Sequence, residues 1–178
     1  MERRDPIRVV PYEPAWPALF EREASRLRHV LVPYLTGEVE HMGSTAVPGL
    51  AAKPIIDMLA TVRSYDDAGA IAAALRPLGW AWAPEPDDDE IRRASFCFPD
   101  PGYRTHHLHA IEHRSPHWPR WLAFRDALRG EPELAGHYGA LKAQLAQDFA
   151  DDRDGYRSGK TAFVVGALTA WEPRGPAR

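Results

Sequence analysis

At 178 residues with 44% apolar side chains, the chain is long enough to bury one sizeable core, and a single domain over residues 1–178 is expected. A net charge of −3 provides no overall basic field, which argues against a nucleic-acid partner, and no apolar run approaches the ~20 residues of a membrane span. Cys97 is the one cysteine, which excludes an intrachain disulfide, and the opening Met-Glu-Arg-Arg-Asp-Pro lacks the apolar segment of a secretion signal, so a cytoplasmic protein is expected.

In chain order, residues 8–11 read as a short extended segment leading into a helix over 14–32. Pro14 suits its first turn, and Trp16, Leu19, Phe20, Leu27, Val30 and Leu31 form one stripe, which Glu23 interrupts from its edge. Residues 39–42 predict a short strand and 55–62 a buried one, with a loop of small residues between them. Ser64 opens a helix over 65–75 that stops before Pro77-Leu78-Gly79. A strand over 79–83 follows, and then the acidic stretch 84–90, read as a solvated loop. Strands over 92–98 and 103–112 flank an Asp100-Pro101-Gly102 turn. Helices are predicted over 116–129, 132–151 and 154–171, with Gly130 and Gly155 as breaks and a frayed tail after Trp171. The fold class is α/β (α+β), with a mixed or mostly antiparallel sheet in a front of about 1–113 and a helical back half of about 114–172.

Three groups of residues carry chemistry. Gly43, Ser44 and Thr45 leave backbone N–H groups open to an anion, although the loop lacks the Gly-Lys-Ser/Thr of a P-loop. Asp57 lies inside an apolar strand, where a carboxylate is costly to bury without a cation against it, so either a metal ion or Lys53 must answer it. In Tyr103-Arg104-Thr105-His106-His107-Leu108-His109, strand alternation puts His107 and His109 on one face and His106 with Leu108 on the other. Finally, Arg125/Arg129, Tyr138/Lys142 and Tyr156/Lys160 are spaced i,i+4, and each pair shares a helix face; taken singly, such cations snorkel at a surface. Trp118 and Trp121 follow the histidine strand closely enough for one to stack on a base.

The string His-Met-Gly-Ser-Thr-Ala-Val-Pro-Gly-Leu-Ala-Ala-Lys-Pro-Ile-Ile-Asp, residues 41–57, resembles the signature of the GrpB family, within the nucleotidyltransferase (DNA polymerase β-like) superfamily. The likeness runs over nearly the whole chain and implies a nucleotidyltransferase-like mixed sheet with flanking helices. It further implies that Gly43, Ser44 and Thr45 hold the phosphates of a nucleotide or other phosphorylated small molecule, with Lys53, Arg93, Lys142 and Lys160 supplying positive charge. Gly43-Ser44 is followed by twelve residues and then Asp57, the superfamily's first acid and the catalytic candidate; the second acid would stand at Leu59. Two-metal phosphoryl transfer is handicapped by that departure. Where the superfamily supplies its third acid, this chain offers His107 and His109. Asp57, His107 and His109 suit a borderline transition metal better than Mg²⁺, which prefers oxygen, and the candidate ions are Mg²⁺, Mn²⁺ and Zn²⁺. The expected function is binding of a phosphorylated small molecule, with metal-dependent nucleotidyl transfer as its catalytic form. The alternatives are a non-catalytic or regulatory module linked to coenzyme A metabolism, since some family members are fused behind a dephospho-coenzyme A kinase, and a histidine-based metal hydrolase.

Overall fold

The computed structural model describes residues 7–171; the opening segment and the tail after Trp171, on which two expectations fell, lie outside them. The elements are α1 (Trp16–Leu31), β1 (Leu35–Met42), β2 (Ile56–Val62), α2 (Ala68–Leu75), β3 (Ala81–Trp82), a single-turn α3 (Asp88–Ile91), β4 (Arg93–Pro99), β5 (Arg104–Glu112), α4 (His117–Gly130), α5 (Pro132–Asp148), α6 (Arg153–Ser158) and α7 (Thr161–Ala170). The five strands form one mixed sheet in the order β1-β2-β5-β4-β3, parallel only between β2 and β5. The expected α+β class, with sheet before helices, is what the chain forms. Among the described residues no helix is long and apolar enough to cross a membrane.

The strand period of two decides what each face of the sheet does. Ile56, Met58 and Ala60 of β2, Leu108 and Ala110 of β5, and Ala94 and Phe96 of β4 point to one side, where the α1 stripe of Trp16, Phe20, Leu27 and Leu31 covers them. Each of these large side chains contributes roughly 1.5–3 kcal/mol by leaving water. On the opposite side Leu59 and Ile111 pack with Ile91 against Trp118, Trp121 and Leu122 of α4. That second side also carries Asp57 and His107, paired across the parallel β2–β5 ladder, and His109, which pairs with Leu59.

Several sequence expectations need correction. Glu23 is not at the edge of the α1 stripe: it is 4% exposed and accepts hydrogen bonds from Trp80 Nε1 at 2.9 Å and Arg26 Nη1 at 2.7 Å, which is how a carboxylate survives in that position. The acidic stretch is solvated only in part: Asp89 and Glu90 are exposed, but Asp88 is not. Asp88 is 4% exposed and accepts from Arg93 Nε (2.6 Å), Ser95 Oγ (2.9 Å), Ser95 N (3.2 Å) and Glu85 N (3.0 Å), so one aspartate of the run folds back as the buried counter-charge of Arg93. β1 starts at Leu35 because β2 offers it a partner down to Val62, and the predicted strand over 79–83 shrinks to two residues. The break in the last helix falls at Gly159 and Lys160, between α6 and α7, and Gly155 lies inside α6.

Candidate functional site

Gly43 sets the geometry of the loop after β1. Its φ of 71° with ψ of −170° is a backbone region only glycine occupies without strain, and a Cβ there would stand 2.6 Å from Asp57 Oδ2. The loop then makes a 3₁₀ turn over Ser44–Ala46. Thr45 Oγ1 donates to the Ile55 carbonyl at 3.3 Å and therefore accepts from His41 Nε2 at 3.0 Å; His41 itself stacks on Phe20 of α1. From α4, Arg129 Nε donates to the Ala46 carbonyl at 2.8 Å and Arg125 Nη1 to that of His41 at 2.9 Å. Two arginines thus clamp the loop from outside while Gly43 lets its backbone lie against the carboxylate. The i,i+4 pairing of these arginines is visible in the sequence, but their role as clamps is not.

Asp57 Oδ1 lies 3.0 Å from His107 Nδ1. Burial alone would raise the carboxyl, but the hydrogen bond and charge of His107, with His109 and Lys53 nearby, outweigh it and hold Asp57 down to about 2. The carboxylate is ionised and accepts, so His107 Nδ1 carries the donated proton and Nε2 is the ring's other nitrogen. That Nε2 and His109 Nδ1 are both buried atoms without a hydrogen-bond partner among the described residues. Burial, reinforced by Arg93, pushes His109 down to about 3, so its imidazole is neutral and able to ligate. One ligand atom from each of Asp57, His107 and His109 falls within 4.8 Å of the others. The donor set fits a borderline divalent cation, and the two orphaned ring nitrogens are what such an ion would satisfy.

This cluster is the floor of a cavity of about 520 Å³ between the sheet and the helical half. Gly43, Ser44, Thr45, Lys53, Asp57, Arg93, His107, His109, Lys142 and Lys160 all line it, so the structure brings the expected phosphate-binding and metal-ligating residues to one hollow, whereas Arg125 and Arg129 stay outside it. They are not equivalent there. The Thr45 hydroxyl is committed to His41 and Ile55, and Arg93 is committed to Asp88 and, through Nη2 at 2.7 Å, to Asp87. Lys142 donates through Nζ to the Ala51 carbonyl and stands 4.8 Å over the Tyr138 ring. Lys53 and Lys160 lie 4.9 and 4.6 Å from the centre of the Tyr156 ring. Lysine at i+4 from tyrosine therefore marks cation–π contacts on the cavity wall and not snorkelling. Burial, then Lys160 and Lys53, bring Lys142 down to about 7, and burial lowers Lys160 too.

Sequence reasoning missed Glu85, Arg153, Asp154 and Arg157, which also line the hollow. Arg157 Nη1 meets Glu85 Oε2 at 2.9 Å, tying α6 to the segment before α3. The i,i+4 spacing of Arg153 and Arg157 was the available signal. In a chain of net charge −3, the wall holds six cationic side chains against three acidic ones. Neither Trp118 nor Trp121 reaches the hollow as a stacking surface: Trp121 backs His109 at 6.2 Å and Trp118 donates to the His113 carbonyl.

The family model described as "GrpB protein" matches residues 6–169. A UPF0157 protein of Pseudomonas aeruginosa is 39% identical over 165 residues, covering 92% of this chain and 67% of that protein. A UPF0157 protein of Bacillus subtilis is 35% identical, and there the match takes in 89% of this chain but 45% of the relative. A protein named dephospho-CoA kinase from Mycolicibacterium paratuberculosis is 30% identical over 95% of this chain and 47% of its own length. Among solved structures, the crystal structure of conserved protein GrpB from Enterococcus faecalis superposes with a TM-score of 0.79 at 36% identity, covering 91% of this chain and 95% of that one.

Proposed function

The chain belongs to the GrpB family, and from that premise we propose that it binds a nucleotide or another phosphorylated small molecule in the cavity over Asp57, together with a divalent metal ion held by Asp57, His107 and His109. The observation that carries the reading is the meeting, in one hollow, of a carboxylate–imidazole cluster with Ser44 and three lysines on aromatic rings. A bound metal would supply a Lewis acid beside the anion. The protein's own part is to bind and orient. Lys53 and Lys160 offer ammonium donors to phosphate oxygens, and Ser44 adds a hydroxyl at the loop. Asp57 either ligates directly or, as the acceptor from His107 Nδ1, fixes that ring so that Nε2 faces a ligand.

Nucleotidyl transfer is the catalytic extension of this reading, by analogy with the superfamily. The superfamily's second acid position is occupied by Leu59, 1% exposed and enclosed by Ile91 and Ile111, so a single-metal site is what these residues can build. Isothermal titration with ATP, CTP and coenzyme A, with and without Mn²⁺ or Zn²⁺, tests the binding claim. Heat that strengthens with the metal is expected, and Asp57→Asn should remove the metal dependence; no heat with any of the three ligands would end this reading.

One observation favours a second reading. The segment matching this chain occupies under half of the protein named dephospho-CoA kinase, so the unit occurs joined to further sequence. A ligand-binding module serving a coenzyme A kinase would bind without turnover, and its ligand affinity would be indifferent to Asp57→Asn.

A further inference from the structure

The whole sequence contains three lysines, Lys53, Lys142 and Lys160, beside nineteen arginines, and all three lysines line this same cavity. Everywhere else this chain meets its need for positive charge with arginine. The two side chains differ in one chemical respect that matters here: an amine can lose its proton and become a nucleophile, a guanidinium cannot. Lys142 is built for that loss. It is 2% exposed, lies against the Tyr138 ring, and has one hydrogen-bond acceptor, the Ala51 carbonyl, among the described contacts, where an ammonium would want three. Among the described residues no carboxylate bonds to it, and Lys160 and Lys53 repel its charged form more strongly than Asp57 attracts it. Burial beside further cations is the standard arrangement for an amine that attacks carbonyl carbon.

Resting on the cavity being an anion site, we propose that Lys142 is an imine-forming residue that captures a phosphorylated aldehyde or ketone, whose phosphate Lys53 and Lys160 hold. The Nζ lone pair forms a C–N bond to the carbonyl carbon while the C=O π pair moves to oxygen, which takes a proton. The carbinolamine then loses water as the nitrogen lone pair closes the C=N bond. Amine and carbonyl are converted to imine and water, with nothing oxidised or reduced.

Pyridoxal 5′-phosphate and glyceraldehyde 3-phosphate serve as probes, with cyanoborohydride trapping, intact-mass measurement and peptide mapping at pH 7.5. One adduct per chain, on Lys142, is expected, with inorganic pyrophosphate protecting it. Lys142→Arg, which keeps the charge, should abolish the adduct and leave pyrophosphate binding measurable by calorimetry. Lys53→Arg and Lys160→Arg should retain an adduct on Lys142. Labelling that falls on Lys53, Lys160 or the amino terminus in preference to Lys142 overturns the proposal. Pyrophosphate heat without any Lys142 adduct overturns the imine and leaves the anion site standing; absence of both heat and adduct removes the two together.

Discussion

Gly43→Ala is the substitution that most directly tests how the site is held together. The glycine sits at φ 71° and ψ −170°, where a side chain costs on the order of 1–3 kcal/mol in backbone strain alone. The new methyl would also stand 2.6 Å from Asp57 Oδ2, closer than atoms tolerate, and a tight 3.1 Å from Asp57 Cβ. The carboxylate must therefore swing, and the 3.0 Å bond to His107 Nδ1 goes with it, a charged hydrogen bond worth roughly 1.5–3 kcal/mol. Both effects together predict a loss of about 2.5–6 kcal/mol. Gly49 is the internal control. Its φ is 78°, but a Cβ there meets nothing within 4 Å, so Gly49→Ala should show the backbone cost without the collision. Urea unfolding of both variants, with Mn²⁺ or Zn²⁺ titration alongside, separates the two effects. Equal destabilisation by the two alanines, with metal uptake unchanged in Gly43→Ala, would refute the idea that this glycine exists to seat Asp57.

Acid should weaken the fold through two histidines. Burial brings His41 to about 4 and His109 to about 3 from a usual 6.5, so above pH 6.5 neither costs anything, while below it the unfolded chain takes up protons the folded one refuses. Metal-free protein should lose up to about 2.7 kcal/mol per pH unit between roughly pH 6 and 4.5, and a flat urea midpoint over that range would contradict it. Asp88→Asn strips the 6%-exposed Arg93 of its buried counter-charge and leaves it the half-exposed Asp87, for an expected loss of about 2–4 kcal/mol by chemical denaturation; a loss below 1 kcal/mol would mean the fourfold acceptor network is not holding β4 to α3. Lys142→Met should raise the melting temperature at pH 6 by removing a buried amine, while weakening calorimetric pyrophosphate binding; a stability drop with unchanged binding would place Lys142 in the framework alone.

What could be read from the sequence, and what could not, divides along the range of the interactions. Alternation within one strand placed His107 and His109 on a common face without knowledge of any neighbour, and the seventeen-residue string over 41–57 carried the loop and its aspartate together. Glu23 and Asp88 were misread because each is explained by a partner that local pattern does not reveal. Glu23 depends on an indole 57 residues downstream, and the aspartate run looked solvated until β4 brought Arg93 and Ser95 against it. Leu59 shows the same division within the site. As a sequence position it reads as a missing acid. In the sheet it pairs with His109 on β5 and closes a cluster with Ile91 and Ile111, so a carboxylate there would be sealed among apolar side chains. The imidazole across the ladder, neutral and with an unpartnered ring nitrogen, is the group this packing tolerates beside Asp57 and His107.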